Sequence, residues 1–193
     1  GYARVAELMP SDATSLLDLG CGTGLELAAL FESNPTLEVT AIDLCASMLE
    51  QLQKKYPSRN IHEVNASYAG YDFGTSRFDA ALSFETLHHL DRSQKADLYR
   101  RLRRAIAPGG VYIECDYMVE TQAEEDHLRN ERAWSLASFA QVPDEYYHLD
   151  IPFTVEHQIG LLTAAGFENV EKVFRKGDTT IIVASVPRTC KTS

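Results

Sequence analysis

The sequence predicts an α/β fold, a doubly wound and mostly parallel sheet that closes with an antiparallel strand. Three observations predict it. Residues 16–24, Leu-Leu-Asp-Leu-Gly-Cys-Gly-Thr-Gly, run from an apolar strand into a turn with glycines at alternate positions, and the apolar residues among 25–31 then fall at helical spacing. Further apolar runs, at 37–42, 78–84 and 111–115, alternate with helical stripes. The tail holds two β-rich runs, 168–175 and 179–186, around Lys176-Gly177-Asp178, which reads as a hairpin.

A strand that turns into a helix through glycines can bring its backbone N–H groups close to a ligand, because no Cβ intervenes. The glycines run G-x-G-x-G, not the G-x-G-x-x-G of a dinucleotide site, and Asp18 stands two residues before the first. A carboxylate there would repel a pyrophosphate and attract an ammonium and a sulfonium. Asp43 ends the second apolar run, where a strand end presents an acid to ribose hydroxyls. A free ribose with a cationic amino-acid tail describes S-adenosylmethionine.

With these residues in place, the sequence resembles the class I S-adenosylmethionine-dependent methyltransferases. The resemblance rests on residues 16–24, 39–49 (VTAIDLCASML), 78–90 (FDAALSFETLHHL), 102–117 (LRRAIAPGGVYIECDY) and 161–170 (LLTAAGFENV), in that order, and covers roughly residues 14–186. It implies a Rossmann-like sheet of order 3-2-1-4-5-7-6 in one domain spanning 1–193. It also implies a cofactor site of Asp18, Gly20, Cys21, Gly22, Thr23, Gly24, Asp43, Leu44, Met48, Ala66, Ser67, Ser83 and Phe84. The product would be S-adenosylhomocysteine.

Taken in order, Val5, Leu8 and Met9 suggest a short helix stopped by Pro10, and Gly1 with so short a lead-in points to a shortened or tagged N-terminus. After strand two, the stripe Cys45, Met48, Leu49, Leu52 and Tyr56 predicts a helix. Cys45 stands where the family has a serine N-cap, so a weak cap is expected. Met48 either packs beside the adenine or belongs to the core. Strand three is expected near 60–66, and Ser67 takes the place of the family's adenine-binding acid with an uncharged acceptor. Strand four ends in Ser83-Phe84-Glu85 on the side where substrate enters. His88 and His89 follow; neighbours on a helical turn point about 100° apart and do not easily share an ion, so no metal is expected. Their reading is structural, with a base role as the sharper alternative. A helix over about 93–107 is expected to stop at Pro108-Gly109-Gly110, followed by strand five, which ends in Asp116-Tyr117.

Residues 117–153 are expected to form a substrate lid. Glu120, Glu124, Glu125 and Asp126 precede Arg129 and Arg132, an order that suits a helix dipole or an acidic cover for a cationic substrate. Trp134, Phe139, Tyr146, Tyr147 and His148 suit a small-molecule pocket or a local core. Thr154 and Gly166 bracket a last helix.

The chain has 193 residues, 45% hydrophobic, and a net charge of −10. No apolar run approaches the ~20 residues of a membrane helix. The acidic balance disfavours nucleic acid, and Arg100, Arg101, Arg103 and Arg104 read as a solvated helix face. The scattered cysteines 21, 45, 115 and 190 fit a reducing cytoplasm. The expected function is methyl transfer to a small molecule, with no catalytic residue identified and the oligomeric state open. The alternatives are a protein that binds the cofactor without transfer or modifies the cofactor itself, and a nicotinamide dehydrogenase, which Asp18, the glycine spacing and the hairpin oppose.

Overall fold

A computed structural model describes residues 1–139 and 150–188, with the side chains of Arg132, Ala133 and 135–139 excepted. Seven strands form one sheet. They are β1 (Ser15–Leu19), β2 (Glu38–Asp43), β3 (Ile61–Asn65), β4 (Phe78–Phe84), β5 (Ile106–Tyr117), β6 (Glu168–Lys176) and β7 (Thr179–Ser185), in the order β3-β2-β1-β4-β5-β7-β6. All pairs are parallel except β5–β7 and β6–β7. Both the expected order and the closing antiparallel hairpin are present.

The period-2 alternation of the strands divides the core into two layers. Leu16, Val39, Ala41, Leu82 and Ile113 point to the face covered by α1 (Tyr2–Leu8), α2 (Leu27–Ser33) and α3 (Ala46–Lys55). Leu17, Leu19, Ala81 and Tyr112 point to the other, covered by α4 (Arg92–Ala105) and α6 (Val155–Ala164). Each fully buried leucine contributes on the order of 1.5–3 kcal/mol. The second layer also holds a polar knot. Glu114 accepts from Tyr99 at 2.8 Å and from Tyr112 at 3.2 Å, and Gln158 of α6 donates to it. Buried Lys95 reaches Gln158 at 3.3 Å.

Four expected details come out differently. The Pro108-Gly109-Gly110 segment does not end a helix in a free turn; it lies inside β5 as an irregularity between the Phe78 and Ala80 pairings. A Cβ on Gly110 would stand 2.5 Å from the Asp79 carbonyl, so only glycine fits there. The hairpin turn is Gly177-Asp178 rather than three residues, with Gly177 at φ +60°. The arginines of α4 are not simply a solvated face. Arg101 donates to the carbonyls of Tyr68, Ala69 and Tyr71, Arg103 to that of Gly166, and Arg104 to Asp72. Part of the expected acidic cover is structural: Glu124 caps α5 (Gln122–Phe139) by accepting from the Glu120 and Thr121 N–H groups, and buried Glu125 accepts from Thr154 N–H. Tyr146, Tyr147, His148 and Cys190 lie outside the described residues.

Candidate functional site

Because β1, β2, β4 and β5 are parallel, their C-terminal ends share one edge of the sheet, where ligands gather in open α/β folds. That edge brings together Asp18, the glycine turn, Asp43, Phe84 and Asp116.

Asp18 is 1% exposed, and neither of its carboxyl oxygens meets a hydrogen-bond donor among the described residues. Burial, then the charge of Glu26, raises its pKa well above the ordinary carboxylate range. Glu26 is buried too, and its pKa is also raised, chiefly by burial. Two buried acids side by side can settle only by sharing a proton or by receiving a cation. The sequence reading did not single out Glu26; its signal was an acid two residues beyond the third glycine.

The glycine turn differs from expectation in how it uses its backbone. Gly20, Gly22 and Gly24 all have positive φ, at +63°, +51° and +65°. Yet Gly20 and Cys21 N–H donate to the Ile42 carbonyl, Gly24 N–H to that of Cys21, and Gly22 N–H to Asp43 Oδ2 at 2.8 Å. These donors are engaged within the protein, which locks the turn to β2. The glycines also admit neighbours. A Cβ on Gly20 would lie 2.2 Å from Thr86 Oγ1, and one on Gly24 2.4 Å from Leu52 Cδ1. One on Gly22 would meet only Met48 Sδ, at 3.7 Å. Thr23 is partly exposed beside Gly22. Cys21 is buried, and burial first, with Asp18 second, pushes its thiol far above the ordinary range.

Asp43 is partly exposed and also accepts from Cys45 N–H, at 2.8 Å, through its other oxygen. Each oxygen retains a further lone pair for a ribose hydroxyl. Beside it, Leu44 and Met48 are among the few exposed large apolar side chains, so Met48 leaves the core to Leu49 and Leu52. Cys45 forms no side-chain cap, in line with its expected weakness. Ala66 N–H donates to the Asp43 carbonyl at 3.1 Å, and the Ser67 hydroxyl accepts from Ala69 N–H at 3.3 Å.

At the end of β4 the two named residues part. Ser83 is fully buried and bonds the Tyr112 hydroxyl at 2.7 Å, so its side chain faces the sheet interior and not the edge. Phe84 is partly exposed, and the Tyr2 ring of α1 lies against it, centroids 4.7 Å apart. Glu85 follows with φ +48°, a strained conformation for a non-glycine residue. Thr86 then packs on Gly20 and accepts from the Tyr68 hydroxyl at 2.9 Å.

Next along the chain, Asp116, 1% exposed, organises the histidine turn. Its Oδ2 accepts from Leu87 N–H at 2.8 Å, and its Oδ1 pairs with His88 Nδ1 at 2.5 Å. Burial would lower the His88 pKa, but the hydrogen bond and charge of Asp116, with that of Asp150, raise it above the ordinary value. The two histidines do not diverge as expected from helical geometry. On the short 3₁₀ turn Leu87–His89 their ring centroids are 4.0 Å apart, because Asp116 turns His88 inward and Asp150 draws both rings to one side. A cavity of about 410 Å³ opens at the same edge beyond Tyr117, between Glu124, His127, Arg175 and Asp178.

A family model described as a methyltransferase domain matches residues 16–110, the span that holds the glycine turn, Asp43 and the histidine turn. In sheet order, glycine turn and matched domain, the chain is similar to the class I S-adenosylmethionine-dependent methyltransferases. Among curated methyltransferase relatives, an uncharacterised one from Mycobacterium tuberculosis is 32% identical over 137 residues, 71% of this chain and 64% of that protein, so the chain spans under two thirds of its length. A carboxy-S-adenosyl-L-methionine synthase from Campylobacter curvus is 22% identical over 182 residues, 90% of this chain and 77% of the synthase. In fold, the chain is similar to the 1,6-didemethyltoxoflavin-N1-methyltransferase of Burkholderia thailandensis, solved with 1,6-didemethyltoxoflavin and S-adenosylhomocysteine. The TM-score is 0.66 at 20% identity, over 96% of this chain and 76% of that one. S-adenosylmethionine is the methyltransferase cofactor, and the residues at the edge suit it: paired buried acids for its ammonium, Asp43 for its ribose, exposed Leu44 and Met48 for its adenine.

Proposed function

We propose that this chain transfers the methyl group of S-adenosylmethionine to a small-molecule acceptor. The observation that carries the reading is the buried Asp18–Glu26 pair, which has to hold a proton unless a cation is received. Asp18 and Glu26 would hold the ammonium, Asp43 the ribose hydroxyls, and Leu44 and Met48 the faces of the adenine, with Ala66 and Ser67 at its rim. The glycine turn, from Gly20 through Cys21, Gly22 and Thr23 to Gly24, would give the tail its shape. Phe84 would border the methyl, and Ser83 would act only through the position of the β4 end.

The cofactor supplies an activated methyl on a sulfonium, so the protein mainly has to orient the partners and exclude water. Phe84 under Tyr2 contributes an apolar wall to that end. The cavity beyond Tyr117, with α5 over it, offers room for an acceptor and supports a lid role for residues 117–153. The engagement of the α4 arginines within the fold supports a small molecule over nucleic acid. Among the described residues no helix is long and apolar enough to cross a membrane. The free thiols of Cys21, Cys45 and Cys115 support a reducing, cytoplasmic setting.

The likeness to carboxy-S-adenosyl-L-methionine synthases over 90% of this chain favours one second reading, modification of the cofactor itself. Calorimetry against S-adenosylhomocysteine tests the shared site. Mass spectrometry of turnover mixtures then separates the readings: a methylated acceptor with S-adenosylhomocysteine supports transfer, and a heavier cofactor supports the second.

A further inference from the structure

We infer that His88, His89 and Asp150 form a binding site for a divalent transition-metal ion of the zinc or ferrous kind. One ligand atom from each lies within 4.8 Å of those of the other two. Asp150 Oδ1 is 3.2 Å from His89 Nδ1 and 3.7 Å from His88 Nε2. Ligand atoms around one ion at ~2.1 Å stand about 3.0–3.4 Å apart, so both measured edges match a coordination polyhedron to within a few tenths of an ångström.

Two further observations point to a ligand rather than a chance meeting of side chains. Buried Asp116 holds His88 through Nδ1, which fixes the tautomer and turns Nε2 toward Asp150. A carboxylate behind an imidazole is the arrangement that stands behind metal-bound histidines, setting ring orientation and basicity. The backbone also joins the two segments: Ile151 N–H donates to the His88 carbonyl at 2.5 Å, which seats Asp150 beside the histidine turn although the chain between them is long.

Two imidazoles and one carboxylate favour borderline ions over magnesium or calcium, which take oxygen donors. Three protein ligands would leave coordination positions open for water or a further ligand. An ion there would select acceptors that chelate through two oxygens, such as 2-hydroxy or 2-oxo acids. This last step rests on the methyl-transfer reading; the metal site does not.

The bland reading of the same atoms is a hydrogen-bonded histidine–aspartate cluster with no affinity for metal. Titration of the chelator-treated full chain with zinc chloride, and with cobalt(II) followed by its visible absorbance, separates the two. One ion per chain is expected. His89→Ala and Asp150→Ala should each weaken it about tenfold or more, and Asp116→Asn about 10–100-fold, by releasing the His88 ring. His62→Ala, at an exposed histidine on β3, should change nothing. S-adenosylhomocysteine affinity measured on the same samples should be unchanged in His89→Ala and Asp150→Ala, which shows that they are folded. That affinity also keeps the two proposals apart, because its absence from the unmodified chain would sink the cofactor site alone. No zinc or cobalt binding, or binding that survives both His89→Ala and Asp150→Ala, would overturn the metal site.

Discussion

Asp18 and Glu26 bury two carboxyl groups against each other at the end of β1, and no hydrogen-bond donor among the described residues reaches either oxygen of Asp18. The arrangement is unfavourable in isolation and suits a cationic ligand, so affinity and stability pull in opposite directions at this position.

The first prediction follows from that conflict. Asp18→Asn should weaken S-adenosylhomocysteine binding by about 1.5–3 kcal/mol, the worth of a charge-assisted contact. The ligand-free variant should melt at a higher temperature near neutral pH. Burial and Glu26 raise the folded-state pKa of Asp18, so as pH climbs past the ordinary carboxylate range the unfolded chain releases its proton first. The folded state then holds more protons, and stability falls with rising pH until the folded carboxyl also ionises. Asparagine removes that loss and can donate its amide to Glu26. For the same reason ligand affinity in the unmodified protein should rise with pH through the raised range, with proton release on binding. Scanning calorimetry and titration in buffers of different ionisation enthalpy check both; a lower melting temperature with unchanged affinity would refute the assignment.

The glycine turn separates a packing glycine from a site glycine. Gly20→Ala should destabilise the fold by about 1–3 kcal/mol, because its Cβ would strike Thr86 and its φ is positive. Thr86→Ala in the same chain should recover only part of the steric share, because the Thr86 Cβ itself would stand 2.8 Å from the new one. At Gly22 a Cβ meets only Met48 Sδ within 4 Å, so Gly22→Val carries the strain of its positive φ without a Thr86-type clash of its Cβ, and it should abolish S-adenosylhomocysteine binding. Thermal melts beside titrations check this, and retained affinity in Gly22→Val would show that the turn does not touch the cofactor.

The sequence carried the sheet well because alternation and glycine punctuation are local signals. The split of Leu16 and Leu17 to opposite layers is readable from period 2, and Thr154 and Gly166 do bracket α6, the threonine capping His157 N–H at 3.2 Å. What it could not carry depends on contacts across many residues. Glu26 became visible only once α2 packed back on β1. The convergence of His88 and His89 depends on Asp116 and Asp150, which no helical wheel contains. The internal use of the turn's N–H groups requires the Ile42 carbonyl and Asp43, one strand away. Ser83 was placed on the right strand end, but the direction of its side chain is set by Tyr112 on β5.

Asp43 has two tasks, and variants should divide them. Asp43→Ala removes the acceptor of Gly22 and Cys45 N–H as well as the expected ribose contact. It should weaken S-adenosylhomocysteine binding by about 1.5–3 kcal/mol and fold stability by about 1–2 kcal/mol. Asp43→Asn keeps one acceptor oxygen, so it should retain more of the stability than of the affinity. Urea melts and titration on both variants check the split, and equal losses in the two would assign Asp43 to structure alone.

The last prediction concerns how α5 is held over the candidate acceptor cavity. Glu125 is 1% exposed and ties α5 to the start of α6 through three contacts: it accepts from Thr154 N–H at 2.8 Å, pairs with His157 Nδ1 at 2.8 Å on α6, and binds Arg129 one turn along its own helix. Removing the carboxylate leaves a buried N–H, the His157 ring and the Arg129 guanidinium without their acceptor, a loss of about 3–5 kcal/mol where the whole chain must open to relieve it. Here α5 lies at the rim and the sheet is packed without it, so Glu125→Ala should release α5 locally and leave the core intact. Amide exchange should therefore accelerate across 122–131 while β1, β4 and β5 remain protected. If α5 covers the acceptor, turnover should fall with S-adenosylhomocysteine affinity nearly unchanged, since the residues proposed for the cofactor lie at β1, β2 and β4. Glu125→Gln, which keeps an oxygen for Thr154 N–H, should recover part of the protection and part of the rate. Faster exchange in α5 with undiminished turnover would reduce the segment to packing and remove it from the catalytic cycle.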